Sequence, residues 1–378
     1  MTKLGYAKPS IIFLLLAFIF ISVDSIAQEK EQSIFIDTLD NHVDLSNYLL
    51  DLRGFLPVVS PITEPAVGYG ATVAGLFFIP KEGSVKKMFQ MPDIVGVMGG
   101  LTQNGTWFGG AGYFGFWNED KIRYRGVVGY GDVNLTYYGS GIFDDYFAEF
   151  NLSGFFFLQQ AIFRLGDSRF FLGGRYQLSK ITTSVTSENK LPPQFERDFE
   201  LTNSGVGVIS EYENFNNLFS PTKGLRVNLT YDQYLKAIGS DREFGLFTFF
   251  THYYLPVNNF WISGFRIESQ LSTGDSPFYM LPFIQLRGIP AMRYQGDMTA
   301  LIETEQLFML SWRWGIVGFA GVGKTNNYDN KNELEAWNAG TGFRYLIARS
   351  LGLMMGIDVA RGPEDWAVYV VFGSSWLK

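Results

Sequence analysis

Of the side chains able to attack a substrate or hold a metal, this chain carries few: two histidines, His42 and His252, and no cysteine. The missing thiol excludes disulfides, thiolate metal sites and a cysteine nucleophile. A histidine can still activate a serine against a lipid ester when the two lie within hydrogen-bond reach. His42 precedes the regular part of the chain. His252 stands in Phe250-Thr251-His252-Tyr253-Tyr254, with no serine two residues away. Gly321-Val322-Gly323-Lys324-Thr325 mimics part of a phosphate loop but lacks the four-residue gap between glycines. It reads as the end of a strand, and Gly96 to Gly115 as a glycine-rich strand stretch. The sequence therefore reads as a non-enzyme without a cofactor.

The elements behind these residues alternate with period two from about Gly54 onward. Leu225 to Asp232 sets Leu225, Val227, Leu229 and Tyr231 against Arg226, Asn228, Thr230 and Asp232. Phe170 to Ser179, Trp261 to Gln270 and Trp337 to Tyr345 repeat the pattern. Sixteen segments follow one another, from 54–62 and 66–79 to 351–360 and 366–375. Aromatics make up 17% of the residues and charged groups 18%, with 42 Gly and a mean hydropathy of +0.04. That balance suits strands with one face in lipid and the other in a lumen. The competing reading, a soluble sandwich, would bury one face and wet the other. Strand length and aromatics near strand ends (Trp107, Trp117, Tyr130, Tyr253, Tyr254, Trp261, Trp337 and Trp366) favour a membrane barrel with interfacial girdles. The expected fold is all-β: a single antiparallel transmembrane β-barrel of about sixteen strands. Arg123, Arg125, Arg175, Arg226, Arg266 and Arg344, with Asp232 and Glu268, would give it a polar lumen.

The start of the chain names the compartment. Lys3 and Lys8 precede an apolar run from Ile11 to Val23, and Ser25-Ile26-Ala27-Gln28 offers small residues for cleavage. Residues 1–27 read as a secretory signal; as an uncleaved anchor the run is short of the ~20 residues that span a bilayer. Residues 28–53 read as a periplasmic linker with one short helix around Asp44 to Leu50, too short to hold a core of its own. Residues 54–378 form the barrel, in the outer membrane. If the last strand ends in the periplasm, the short links 164–167, 257–258, 311–312 and 348–350 share that side. The long links 183–200, 272–297 and 324–335 lie outside, while 80–91 and 214–222 are long for the inner side. His252 then falls near the periplasmic rim as a lone interfacial polar residue. A net charge of −7 with no basic-aromatic groove excludes nucleic acid as a partner.

The longest loop, 272–297, carries Leu286-Arg287-Gly288-Ile289-Pro290 and then Arg293-Tyr294-Gln295-Gly296. This resembles the BamA/TamA outer-membrane barrels, also called the bacterial surface antigen family. Their sixth outer loop folds into the lumen with a Val/Ile-Arg-Gly-Phe/Tyr motif. Ser220-Pro221-Thr222-Lys223-Gly224-Leu225 resembles the family's turn into a strand, and Glu303-Thr304-Glu305 its strand after the loop. Gly318 to Lys324, Asn338 to Tyr345 and Gly352 to Gly362 resemble the strands that follow. Ile62 to Gly70 is similar to the barrel start of short members without periplasmic POTRA domains. The chain departs from the family at Gly321, where many members have Asp, at Leu307, where many have Arg, and at its closing Trp376-Leu377-Lys378.

The resemblance implies that the loop folds inward. An arginine on such a loop needs carboxylates or water, and its planar fork suits a bidentate partner. Glu268, Glu303, Glu305 and Asp358 fall on or near lumen-facing positions by alternation, so Arg287 is expected to pin the loop there, beside Gly288. Gly340, Gly342, Gly352 and Gly356 would let the loop backbone approach the wall. The implied function is assistance in outer-membrane protein insertion or translocation, with lipid and a periplasmic or outer-membrane protein as partners. Without capture domains, a partner would have to deliver the client. The alternative is a small-solute pore or a structural barrel.

Overall fold

The structure, a computed structural model, describes residues 34–50, 55–63, 66–79, 81, 92–138, 147–185, 199–327 and 333–376. The segment expected as a signal, 1–27, lies outside them, as do 28–33 and 51–53 of the expected linker and residue 54 of the expected barrel. Sixteen strands follow in chain order. The first eight are β1 (Phe55–Ile62), β2 (Gly70–Ile79), β3 (Asp93–Thr102), β4 (Trp107–Trp117), β5 (Ile122–Tyr138), β6 (Phe147–Arg164), β7 (Phe170–Val185) and β8 (Phe199–Glu213). The second eight are β9 (Gly224–Tyr234), β10 (Phe244–Pro256), β11 (Trp261–Gly274), β12 (Met298–Met309), β13 (Trp314–Asn326), β14 (Glu333–Ala348), β15 (Leu353–Arg361) and β16 (Trp366–Phe372). One helical turn, α1 (Ser46–Leu50), precedes them. Each strand pairs antiparallel with the next in a single sheet. The ends of that sheet meet. Thr63 Oγ1 donates to Val368 O and accepts from Val368 N, both at 2.9 Å, and among the described residues no strand ladder joins β1 to β16.

Alternation explains why these segments curl into a barrel rather than stack. In β13, Trp314, Ile316, Ala320 and Val322 point outward while Val317, Phe319, Gly321 and Thr325 are buried inside. An outer belt of exposed aliphatic side chains, Val128, Leu229, Ile302 and Ile316 among them, is the surface a barrel presents to lipid. Rings pair along its edges: Trp107 stacks on Tyr130 at one rim, and Trp117 on Tyr124 and Trp261 on Phe308 at the other. Tyr254 does not belong to this girdle. Tyr253 takes the outward position, so the pleat turns Tyr254 into the lumen, where its hydroxyl meets Ser374 Oγ at 2.7 Å.

Several strand ends differ from the sequence expectation by three or four residues, two of them for a visible local reason. β2 begins at Gly70 because Gly68, at φ +80°, turns the chain before the ladder starts. β16 stops at Phe372 because Gly373, at φ +74°, turns the chain inward. The lumen is also not polar all round. On β3 and β4 the inward positions are Ile94, Gly96, Met98 and Gly100, facing Phe114, Gly112, Gly110 and Phe108.

The linker region is more than a tether. Residues 34–50 form a strap across the rim that carries the tight turns. Leu45 N donates to Ile347 O (2.7 Å), Ser350 N to Ser46 Oγ (2.9 Å) and Tyr345 Oη to Val43 O (2.7 Å). Arg313, in the β12–β13 turn, donates to Asp37, Asp40 and Asp44, while Arg349 in the next such turn takes Asp37 again. Fully buried Leu49 packs among Leu56 and Phe78 from the first strands and Ile347, Leu351 and Leu353 from the last. The strap therefore spans the place where the two ends of the sheet meet.

Candidate functional site

The loop between β11 and β12 folds into the barrel and lies against the inner wall of β12–β14. It leaves β11 through Gly274 (φ +83°), makes one 3-10 turn at Phe278–Met280, and doubles back through a bridge between Phe283 and Gln295. Its apolar residues Ile284, Leu286, Ile289 and Tyr294 are buried with Leu301 and Ala336 of the wall. Glycines on β13 make the room. A Cβ at Gly323 would stand 2.7 Å from Ile284 Cγ2, and one at Gly321 would stand 3.0 Å from Leu286 Cδ2. A Cβ at Gly321 would also stand 2.8 Å from Asn338 Oδ1 and 2.9 Å from Ile302 O.

This docking presents Arg287 to three carboxylates. Its Nη2 donates to Glu303 Oε1 at 3.0 Å, and its Nη1 to Glu305 Oε2 at 2.9 Å and Asp358 Oδ2 at 2.6 Å. The Arg287 Cζ lies over the Phe319 ring, 3.4 Å from its centroid, which adds a cation–π contact. Two further arginines share these carboxylates. Arg344 donates to both oxygens of Asp358, and Arg266 bridges Glu268 and Glu303 while also donating to Gln285 O of the loop. Asn338 Nδ2 adds a bond to Glu303 Oε1. Of the four candidate carboxylates, Glu303, Glu305 and Asp358 touch Arg287. Glu268 is linked to it through Arg266 and Glu303.

Gly288 has its own fixed role. At φ +83° it sends its N–H to Tyr369 Oη of β16 (2.9 Å), and a Cβ there would stand 3.0 Å from Gly362 N. The close approach of loop backbone to wall is thus made at Gly362, not at the glycines expected for it. Gly340 makes room for the Phe319 ring, Gly342 for the Asp358 carboxylate, and Gly356 lies against Phe343 O and the Arg344 guanidinium. Gly352 sits in a tight turn at φ +61°, facing Asn217.

Several members of the network left no mark in the sequence. After Gly373 the chain runs under the lumen, where Ser375 Oγ donates to Glu305 Oε2 (2.8 Å) and Trp376 Nε1 to Glu303 Oε2 (2.7 Å). The Trp376 ring is 2% exposed and packs on Tyr254 and His252. His252 is therefore not interfacial: it faces the lumen, between Phe250 and Trp376. The strap was equally hidden, although Asp37, Asp40 and Asp44 recur at a spacing that lets one arginine collect them. The hydrogen bond from Arg349 holds the Asp37 carboxyl below its ordinary range, and that from Arg313 lowers Asp40 to about 2. Burial pushes Asp44 up, but bonds from Ser46 and Arg313 outweigh it.

An inward loop pinned by arginine to the wall of a sixteen-stranded barrel can be set beside known proteins. Residues 148–285, from β6 into the loop, match the Omp85 superfamily domain. BamA from Haemophilus ducreyi, in a crystal structure lacking POTRA domains 1–3, is similar at a TM-score of 0.54 and 14% identity. That match covers 84% of this chain and 70% of BamA. CdiB from Escherichia coli is similar at 0.57 and 13%, covering 84% of this chain and 62% of CdiB. At such identities the likeness shows the fold alone. No curated protein matches the chain in sequence. Omp85 barrels are outer-membrane proteins, and this chain folds as a β-barrel with an apolar outer belt.

Proposed function

We propose that this Omp85-type barrel sits in the outer membrane with the strap at its periplasmic rim, and assists insertion or translocation of other proteins there. The observation that carries this reading is the seam. Every consecutive strand pair is laddered, whereas β1 and β16 are joined among the described residues by the two Thr63–Val368 hydrogen bonds. Edges so lightly held can part and offer unpaired backbone to an arriving strand. The Arg287 loop supports the seam's far side, since it grips β12, β15 and β16 together through Glu303, Asp358 and Tyr369. A periplasmic or outer-membrane protein would bring the client to this rim, and lipid would fill the seam between clients.

The chain's lack of cysteine allows a direct test. Thr63→Cys with Val368→Cys should form a disulfide that locks the seam. Client insertion into vesicles, or rescue of barrel assembly in cells, should stop under oxidation and return with a reductant. Full activity with the disulfide closed would remove the insertion reading. A large, steady, ion-selective current in planar bilayers under the same lock would establish the small-solute pore instead.

A further inference from the structure

A second polar site lies away from the Arg287 network. On the inner wall of β5 to β10 there is a cavity of about 170 Å³, lined by Arg125, Gln160, Arg175, Arg226 and Thr248, with Glu211 as its carboxylate. Three guanidinium groups thus face one lining acid that is already engaged, and Arg226 also pairs with Glu213 at 3.6 Å. Glu211 Oε2 accepts from Arg226 Nε (3.1 Å), Arg226 Nη2 (2.8 Å) and Asn228 Nδ2 (3.0 Å), and Oε1 from Arg123 Nη1 (3.4 Å). Arg175 spends Nε and Nη2 on Asp232, which lies outside the lining. This leaves Nη1 of Arg175 and Nη1 of Arg226 without a hydrogen bond among the described residues, and the Gln160 amide and Thr248 hydroxyl are likewise uncommitted. Arg125, over the Phe114 ring at 5.3 Å, adds its charge.

Donors outnumber acceptors around a space large enough for a few non-hydrogen atoms and too small for a peptide. We propose that this cavity binds one small free oxyanion, of the phosphate or carboxylate type, inside the barrel. Such an anion accepts from the two spare guanidinium nitrogens in charge-assisted bonds, stronger than those water would make there. Gln160 and Thr248 complete its shell from β6 and β10. Nothing in this assignment depends on what the seam does.

The full chain in detergent micelles, titrated with inorganic phosphate and with acetate in a calorimeter at low ionic strength, provides the test. Saturable binding of one anion is expected. Gln160→Glu fills the site with a fixed carboxylate and should weaken phosphate at least about tenfold through like-charge repulsion. Met98→Glu places the same charge on the glycine-rich wall of β3 and should leave phosphate binding unchanged. Heat-modifiable gel migration checks that both variants fold. Absence of saturable binding to the wild-type barrel overturns the proposal, and so does equal weakening by the two variants, which would mean diffuse charge attraction. A response to glycerol 3-phosphate alone, the headgroup fragment of phosphatidylglycerol, would assign the cavity to lipid and overturn the free anion.

Discussion

The wall from β11 to β16 and the wall from β2 to β6 share one sheet, one pleat and one kind of outer face, yet their inner faces differ in kind. Inside the later wall, Glu303 and Asp358 are 1% and 0% exposed. Inside the earlier one, Met98 is 48% and Phe156 38% exposed, among Gly96, Gly110, Gly112 and Gly129. Strand chemistry alone does not bury an inward side chain in a barrel this wide. The loop and the segment after β16 do so on one side, and the residues they cover must then satisfy one another as a network. On the other side the loop reaches Leu135 and Phe150 through Phe278 and Met292, while Met98 stays half-exposed between Gly96, Gly110 and Gly112, where small and apolar groups suffice.

That contrast can be broken first at Glu303. Its carboxylate accepts from Arg266, Arg287, Asn338 and Trp376, so Glu303→Ala leaves buried donors unsatisfied and should cost about 3–5 kcal/mol. Urea unfolding in micelles, followed by tryptophan fluorescence, reads this; an unchanged midpoint would mean that lumen water replaces the covered network. The strap supplies the next test. Its aspartates have folded pKa values below their ordinary ones, so their contribution is fully present above the carboxylate range. It is lost as pH falls below that range and, for Asp40, through about 2. Protection of the Leu45 and Leu49 amides against hydrogen exchange should hold at pH 5 and fail near pH 2, while β5–β6 amides keep theirs. Loss already at pH 5 would show that Arg313 and Arg349 do not hold the strap. The smallest effect is expected on the open wall. Met98→Ala removes a half-exposed side chain and should change stability by less than about 1 kcal/mol. A cost comparable to that of Glu303→Ala would erase the distinction between the walls.

Period-two alternation made the barrel readable, and the sixteen strands fall where it placed them because each inward–outward pair, such as Arg226 and Val227, is decided locally. The rims were less readable. Tyr253 and Tyr254 look alike as girdle aromatics, and only the pleat of the finished strand separates them. In the site, a short motif drew attention to Arg287, and alternation put Glu303, Glu305 and Asp358 on the inner face. Which carboxylate meets the arginine depends on where the loop crosses the wall, and Asp358 lies 71 residues further on. Trp376, Ser375 and Tyr369 had no local signature at all, because they arrive by a turn after β16 and by the curvature that brings the last strand beside the loop.

The bond from Trp376 to Glu303 spans 73 residues, while that from Arg287 spans 16. Contacts of such separation form only once the intervening chain is in place. Without the segment after β16, Glu303 lacks one donor and Glu305 lacks Ser375. The indole therefore fastens the last strand's exit to a strand laid down far earlier, and the two ends of the network stand or fall together.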